Sequence, residues 1–210
     1  MIELLIVVAI IGILAAIAVP NFLNAQTRSK IARNKADMRS LTTALETLRM
    51  DSGHLPVDHW DDDTKKGCEL LRNFFNEVGM GPDCEKRSTW AILAVLTSPI
   101  AYMASLPADP FFVGPDGHTT YRYGDYEAAY VGESGTNQYN HNFNALKPEL
   151  AKNLNLRPLA LNEFALIGSG PDKTFGIGAG AGDPLRAVPY EATNGLISIG
   201  DIVFRSGGGN

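Results

Sequence analysis

Charge is missing from the first part of this sequence. No charged side chain stands between Leu4 and Thr27, while all 18 Lys and Arg residues and all but one of the 23 Asp and Glu residues lie from Arg28 onward. A surface helix of a soluble domain has an apolar stripe on one side, whereas this stretch is apolar all round. The missing charge excludes an ordinary surface helix and predicts lipid or protein on every side.

Catalytic motifs are missing as well. The sequence contains no GxSxG, no HExxH and no P-loop, and its four histidines all lie in predicted loops. A Ser–His–Asp triad assembles in space without a local motif, and nothing in the sequence points to one. The net charge of −5 argues against non-specific nucleic-acid binding, which depends on Lys and Arg. We therefore expect no enzyme and no specific nucleic-acid partner.

The uncharged stretch is long enough to span a membrane as a helix. The sixteen residues from Leu4 to Val19 would cover about 24 Å, and Pro20 to Leu23 extend the helix to spanning length. A secretory signal peptide is the alternative. Three features weigh against it: Glu3 replaces the usual positive n-region, no small-x-small cleavage site follows, and the apolar part continues into a long amphipathic helix.

The continuation of that helix has a heptad-like pattern. Five apolar residues recur at a/d-like spacing, namely Ile31, Met38, Leu41, Leu45 and Leu48. Gly53 is a helix-stop signal. Residues 2–51 are therefore predicted to form one helix of about 75 Å. Pro20 removes a backbone donor inside this helix and is expected to kink or loosen it.

Glu3 is an anomaly at the start of an apolar span. A carboxylate deep in lipid costs several kcal/mol, so it needs a partner unless it lies in water at the interface. The free amides of its own helix N-terminus are one candidate partner. The α-amino group of a neighbouring chain is another, and the sequence alone leaves these readings open.

A basic cluster follows the uncharged stretch. It consists of Arg28, Lys30, Arg33, Lys35 and Arg39. For most of its members we expect a solvated helix face. Lipid headgroups and acidic neighbours are the alternative partners, because the cluster begins where the apolar span ends.

The chain has two cysteines, Cys68 and Cys84, in no metal or haem motif. In an exported protein we expect them to form a disulfide, and the alternative is two unconnected thiols. Such a bridge would stabilise the fold by on the order of 3 kcal/mol. Residues 54–63 combine two histidines with four aspartates, but their spacing fits no defined ligand pattern, and a solvated acidic loop is predicted.

The rest of the chain has the pattern of a mixed domain. Helices are predicted over 68–78 and 89–97, the second with Ser88 as N-cap. Short β-branched or aromatic segments over 121–123, 126–131, 163–168 and 196–204 predict three or four antiparallel strands packed on the C-terminal half of the long helix. We therefore predict an α+β fold with a hydrophobic helix over 1–23, its amphipathic continuation over 24–52 and a globular head over 53–210.

The segment from Ile2 to Pro20 resembles the class III signal region of type IV pilins and type II secretion pseudopilins. In that family a prepilin peptidase removes a short basic leader and methylates the new N-terminus, and a conserved-type glutamate pairs with the N-terminal amine of an adjacent subunit. The resemblance implies that Glu3 is that glutamate and that Pro20 loosens the helix. It gives Met1, Glu3, Gly12 and Pro20 as assembly residues.

The start of the chain departs from the family pattern. An aromatic residue and three more residues usually precede the glutamate, whereas only Met1 and Ile2 precede Glu3 here. The start is then either truncated or misassigned, or it is processed at an unusual point.

The head resembles major pseudopilins in two places. The Leu106–Phe111 segment, followed by Tyr121-Arg122-Tyr123, is similar to their LP-x-DPW…Y-x-Y motif, and residues 164–172 are similar to a strand that leads into an S-x-G-x-D-G turn. In that group the turn holds calcium. The resemblance implies a possible calcium site at Asp172 with Asp183 or Asp201, although Lys173 replaces the usual glycine. The alternative is a glycine-rich turn with solvated aspartates, and no other cofactor is expected.

These observations predict the structural subunit of an extracellular type IV pilus-like filament. The expected partners are further copies of the chain, the inner membrane before assembly, prepilin peptidase and the pilus or type II secretion assembly machinery. The alternatives are a major pseudopilin in a periplasmic pseudopilus, and a membrane-anchored binding module that uses the loops at 54–66 and 132–148.

Overall fold

A computed structural model gives the fold and describes residues 2–58, 65–81, 84, 88–112, 120–126, 160, 162–173, 190–194 and 200–207. Its main elements are a long N-terminal helix, two short helices and a three-stranded antiparallel sheet. The predicted α+β fold, with a long N-terminal helix packed on a small antiparallel sheet, is confirmed.

The long helix, α1, runs from Ile2 to Ser52 and contains 51 residues, so it is about 77 Å long. It continues through Pro20. Gly53 then adopts a left-handed conformation with φ +79°, and its N–H donates to the carbonyl of Arg49 at 2.9 Å. Glycine favours this conformation because it has no Cβ, and the turn satisfies one of the last helical carbonyls. The predicted helix and its stop signal are confirmed.

The C-terminal part of α1, residues 31–52, is here called the packed half. Six of its residues are buried, namely Asn34, Met38, Leu41, Ala44, Leu45 and Leu48. Ile31 is partly buried against the same core. The predicted heptad stripe is therefore the side of α1 that faces the head.

The sheet contains β1 (Arg122–Tyr126), β2 (Glu163–Gly168) and β3 (Ile202–Arg205) in that spatial order, with both pairs antiparallel. All six residues of β2 are buried, because β2 lies between the other strands and α1 packs against β2 and β3. The predicted bounds of β2 are confirmed, and two other predicted strands overlap β1 and β3. The strand predicted over 126–131 lies outside the described residues except for Tyr126, which ends β1.

The head also contains α2 (Lys65–Asn73), α3 (Thr89–Leu93) and 3₁₀ turns at Ala94–Leu96 and Ala192–Asn194. Ser88 caps α3, since its Oγ accepts a hydrogen bond from the N–H of Ala91 at 3.2 Å. The helix predicted up to Val78 is too long. Asn76 and Glu77 have φ of 48° and 59°, outside the right-handed helical region, so the chain turns soon after α2 ends.

The segment that follows α1 is buried, whereas the sequence predicted a solvated loop. Leu55, Pro56, Val57 and Asp58 are buried, with Leu55 and Val57 among the fully covered core side chains. A solvated loop over 54–63 is therefore wrong for these four residues. Residues 59–63 and the predicted surface loop over 132–148 lie outside the described residues.

Candidate functional site

The N-terminal part of α1, residues 2–26, is here called the apolar half. Every one of its residues is exposed, and its large hydrophobic side chains from Ile2 to Leu23 are 52–74% exposed. By length and composition this helix can cross a membrane, and none of its most apolar 18-residue window is buried in the head. The apolar half therefore offers a hydrophobic surface that the described part of the chain does not cover.

The assembly residues predicted from the resemblance lie along this half. Glu3 is exposed in the first turn of α1, where the free backbone amides of a helix N-terminus favour a negative charge. Gly12 faces open space, because a Cβ built there meets no atom within 4 Å. Pro20 leaves the carbonyl of the preceding turn without its helical N–H donor. Met1 lies outside the described residues.

A buried carboxylate joins the packed half to the sheet. Asp109 is 4% exposed, and its Oδ1 accepts hydrogen bonds from Asn34 Nδ2 at 3.2 Å and from the N–H of Phe111 at 2.9 Å. Its Oδ2 accepts from the N–H of Ser169, which follows β2, at 2.6 Å. Burial raises the pKa of Asp109, and these hydrogen bonds oppose the rise. One side chain therefore ties α1, the Leu106–Phe111 segment and the end of β2 together.

The approach of β2 to α1 at this point depends on a glycine. A Cβ built at Gly168 would lie 2.7 Å from Asn34 Nδ2 and 2.9 Å from Met38 Cε. Asn34 is already held by Asp109 and cannot move away without losing that hydrogen bond. Gly168 thus sets how closely the helix and the sheet can pack.

A second polar contact lies one turn further along α1. The hydroxyl of Tyr121 donates to Asp37 Oδ2 at 3.2 Å, and Arg33 Nε lies 3.5 Å from the same oxygen. Burial raises the pKa of Tyr121, and the negative charges of Asp37 and Asp109 raise it further. The Tyr121 hydroxyl therefore stays protonated and serves as a donor.

The sheet contains a buried ion pair. Arg205 Nε lies 3.2 Å from Glu163 Oε1, with side chains 2% and 3% exposed. Glu163 Oε2 also accepts from the N–H of Ala160 at 2.7 Å. Because a buried pair gains little over apolar packing but is costly to break, we assign it to holding β2 and β3 in register rather than to chemistry.

The two cysteines form a disulfide. Cys68 in α2 is bonded to Cys84, and their Cα atoms are 5.7 Å apart, within the usual range for disulfides. The bridge ties α2 to the segment that precedes α3.

The structure brings together part of the predicted calcium site. Asp172 Oδ2 accepts from the N–H of Gly200 at 3.1 Å, and Gly200 precedes the buried Asp201. Asp183 lies outside the described residues. Within the described ranges, no group of three or more His, Cys, Asp or Glu side chains is arranged to hold a metal. Calcium binding stays a prediction.

Sequence reasoning missed the cluster of Asn34, Asp109 and Gly168. Asn34 stands seven residues before Leu41, so it occupies a stripe position that calls for an apolar residue. A polar residue at such a position signals a buried hydrogen bond. Its partner is 75 residues away in the sequence, so no local pattern could identify it.

Comparison with known proteins finds relatives that are named as pilins, fimbrial proteins and a secretion system protein. No family model matches it, and neither does any solved structure. It is 38% identical over 94 residues to the type IV major pilin protein PilA of Myxococcus xanthus, covering 45% of this chain and 36% of that protein. It is 51% identical over 51 residues to the type IV major fimbrial protein FimA of Dichelobacter nodosus, covering 24% of this chain and 33% of FimA.

A third relative matches a longer part of the chain. The type II secretion system core protein G of Escherichia coli K12 is 27% identical over 126 residues, which cover 58% of this chain and 74% of that protein. The chain spans only about a third of the length of the PilA and FimA relatives. The structure is consistent with the fold of these relatives, because it has a long N-terminal helix whose second half packs on a small antiparallel sheet. In sequence, this chain is similar to type IV pilins and to a type II secretion system core protein.

Proposed function

We propose that this chain is the structural subunit of a type IV pilus-like filament that polymerises through the apolar half of α1. The observation that carries the proposal is that one continuous helix has two different surroundings. Residues 2–26 are exposed throughout, whereas the packed half of the same helix forms part of the head's core. The role is structural, and no catalytic activity is part of the proposal.

The apolar half supplies enough free energy to keep an assembled filament together in water. Fourteen large hydrophobic side chains between Ile2 and Leu23 are more than half exposed. Covering them with neighbouring helices would contribute on the order of 20 kcal/mol, at 1.5–3 kcal/mol for a fully buried side chain. The loss of translational and rotational freedom costs roughly 4–15 kcal/mol. Relative to water the contact therefore remains favourable, whereas relative to lipid the apolar packing gains little, because lipid tails are as apolar as leucine. A contact that joins different surfaces on the two copies would generate an open helix rather than a closed dimer.

The position of Glu3 favours a filament over a simple membrane anchor. Its carboxylate lies at the very start of the apolar half, where an anchor would need no charge. In a filament core the charge can be neutralised by the amino terminus of an adjacent copy. We infer that the chain waits in the inner membrane and then leaves it for the filament, with prepilin peptidase and an assembly machinery as partners.

A pseudopilus is the second candidate function. The match to the Escherichia coli type II secretion protein covers 74% of that relative, and its 126 residues exceed the length of α1, so it includes part of the head. In this case the same filament would remain periplasmic and short.

The test is to examine material sheared from cells by electron microscopy, for the parent and for Glu3→Gln. We expect surface filaments from the parent and few or none from Glu3→Gln, while the membrane fraction of both strains contains equal monomer. Glu46→Gln is the matched control, because it removes the same charge from the packed half of the same helix. Among the described residues, Glu46 makes only a long surface contact to Arg49 at 3.9 Å.

Three results would count against the proposal. Normal filaments from Glu3→Gln would refute the pairing role of Glu3. Equal loss in Glu46→Gln would show that any change of charge on α1 is harmful. A parent that forms neither surface filaments nor periplasmic fibres would favour a membrane-anchored binding module.

A further inference from the structure

We propose that Asp109 is a proton-binding site of the folded head, and that Ser169 Oγ accepts a hydrogen bond from the bound proton. The site lies where the packed half of α1 meets the end of β2, since Asp109 bonds to Asn34 on the helix and to Ser169 after the strand. A proton bound there would stabilise the joint between helix and head. The joint exists within a single copy of the chain, so the inference goes beyond the proposed filament and does not rest on it.

Asp109 is a buried carboxylate that lacks a cationic partner in the described part of the chain. It is 4% exposed, and no Lys, Arg or His side chain in that part forms an ion pair with it. The equally buried Glu163, by contrast, is paired with Arg205 at 3.2 Å. Burying a charge that has no partner is costly, and a carboxyl group avoids that cost by binding a proton.

Two further acceptors lie beside this carboxylate. Asn34 Oδ1 and Ser169 Oγ are buried, and neither makes a hydrogen bond within the described ranges, although the Ser169 hydroxyl lies close to Asp109. An ionised carboxylate only accepts, so it offers no donor to either oxygen. A protonated carboxyl has one O–H, and Asp109 Oδ2, which already faces Ser169, can direct that donor at Ser169 Oγ. The proton thus supplies a donor that the cluster lacks.

Protonation of Oδ2 leaves the present contacts of the joint in place. Oδ1 keeps the hydrogen bonds from Asn34 Nδ2 at 3.2 Å and from the N–H of Phe111 at 2.9 Å. Oδ2 retains a lone pair for the N–H of Ser169. The proton comes from water, and no other covalent bond forms or breaks. In agreement with this arrangement, burial raises the pKa of Asp109, and the hydrogen bonds from its donors oppose the rise without cancelling it.

The charged groups on the surrounding elements do not take the place of the proton. On α1, Arg33 Nε is paired with Asp37 at 3.5 Å, and Lys30 Nζ lies over an aromatic ring, 5.8 Å from its centroid. The Tyr121 hydroxyl, just before β1, donates to Asp37 and stays protonated because its pKa is raised. Residues 169–171, which follow β2, are uncharged. Asp37 is therefore the neighbouring carboxylate whose titration has to be separated from that of Asp109.

The proton-binding site gives the joint a defined pH dependence. A folded-state pKa above the unfolded value, which is about 3.9 for aspartate, means that the folded chain binds the proton more tightly. The stability that the proton contributes is fully present below the unfolded pKa and is lost as pH rises through the folded pKa. The head is then held to α1 more firmly in mildly acidic surroundings than in neutral ones.

The test uses the full chain in detergent. Carbon-13 NMR of the labelled aspartate carboxyls follows the titration of Asp109 directly, and sequential assignment of the parent identifies its signal even if a variant does not fold. Urea unfolding of the parent, Asp109→Asn and Asp37→Asn from about pH 4 to about pH 8 measures the effect on stability. Asp37→Asn is the matched control, because it removes the neighbouring carboxylate and leaves Asp109 in place.

We expect the carboxyl of Asp109 to titrate above the usual value for aspartate, about 3.9. Ser169→Ala should lower that midpoint because the protonated form loses its acceptor, whereas Asn34→Ala should raise it because the ionised form loses a donor. The folded-to-unfolded ratio of the parent, relative to Asp109→Asn, should fall by up to about tenfold per pH unit as pH rises between the unfolded and folded pKa values. Asp37→Asn should show the same fall as the parent.

Each part of the inference can fail by itself. A midpoint of Asp109 at or below the usual aspartate value would overturn the proton site, and so would a ratio of parent to Asp109→Asn that does not vary with pH. A higher midpoint in Ser169→Ala would overturn the role of Ser169 as the acceptor. If the fall disappears in Asp37→Asn, the titrating group is Asp37. None of these outcomes depends on whether the chain forms filaments, so the proposed function is tested separately.

Discussion

The two halves of α1 are built from one continuous helix but have different surroundings. The apolar half is exposed along its whole length, while the packed half buries six side chains against the head. Helices in proteins obtain most of their stability from packing rather than from propensity. The packed half obtains it from β2, β3 and the surrounding core, whereas the apolar half must obtain it from lipid or from other copies.

The comparison teaches that residue type does not decide what a side chain contributes. Leu14 and Leu45 are the same residue on the same helix, yet Leu14 is 61% exposed and Leu45 is fully buried. Leu45 contributes to folding of the monomer, whereas under the proposed function Leu14 contributes to association. Folding and assembly are thus separated along one helix, and a substitution should affect one without the other.

The largest expected effect comes from truncating this matched pair of leucines. Leu45→Ala should lower the free energy of unfolding of the detergent-solubilised monomer by about 2–5 kcal/mol, because it removes buried methyl groups and leaves a cavity. Leu14→Ala should change it by less than about 0.5 kcal/mol, since the side chain is exposed in the monomer. Urea unfolding followed by tryptophan fluorescence measures both. Equal effects of the two substitutions would break the comparison.

A smaller effect is expected from a matched pair of asparagines. Asn34→Ala removes the hydrogen bond to the buried carboxylate of Asp109 and should cost about 1.5–3 kcal/mol. Asn24→Ala, at an exposed position of the apolar half, should be neutral in the same urea unfolding measurement. If Asn34→Ala is also neutral, Asp109 does not depend on α1, and the joint between helix and sheet lies elsewhere.

Much of the division of α1 into two halves was predictable from sequence, because it depends on local patterns. The missing charge up to Thr27, the heptad spacing and Gly53 determine α1 and its two halves. The β2 bounds were also predictable, because Phe164 to Ile167 is a short apolar run that contains an aromatic and a β-branched residue and is followed by glycine.

The remainder depends on contacts between residues far apart in the chain. Leu55 and Val57 have no pattern that separates them from a solvated loop, and only the core that they enter buries them. Asp109 bonds to Ser169 across 60 residues. The helix predicted to Val78 was too long because apolar spacing continued past the turn at Asn76 and Glu77.

The smallest effect is expected from a matched pair of glycines, and it tests how tightly the packed half fits. Gly168→Ala places a methyl group under 3.0 Å from Asn34 and Met38, so one of them must shift, and the monomer should lose about 1 kcal/mol. Gly12→Ala adds the same methyl group in open space, where alanine is the better helix former, so the monomer should be unaffected. If Gly168→Ala stabilises the monomer, the interface between α1 and β2 can accommodate an added methyl group without strain. If Gly12→Ala leaves the monomer intact but reduces filament yield, neighbouring helices approach each other closely at Gly12, and the apolar half is packed in the filament as tightly as the other half is in the head.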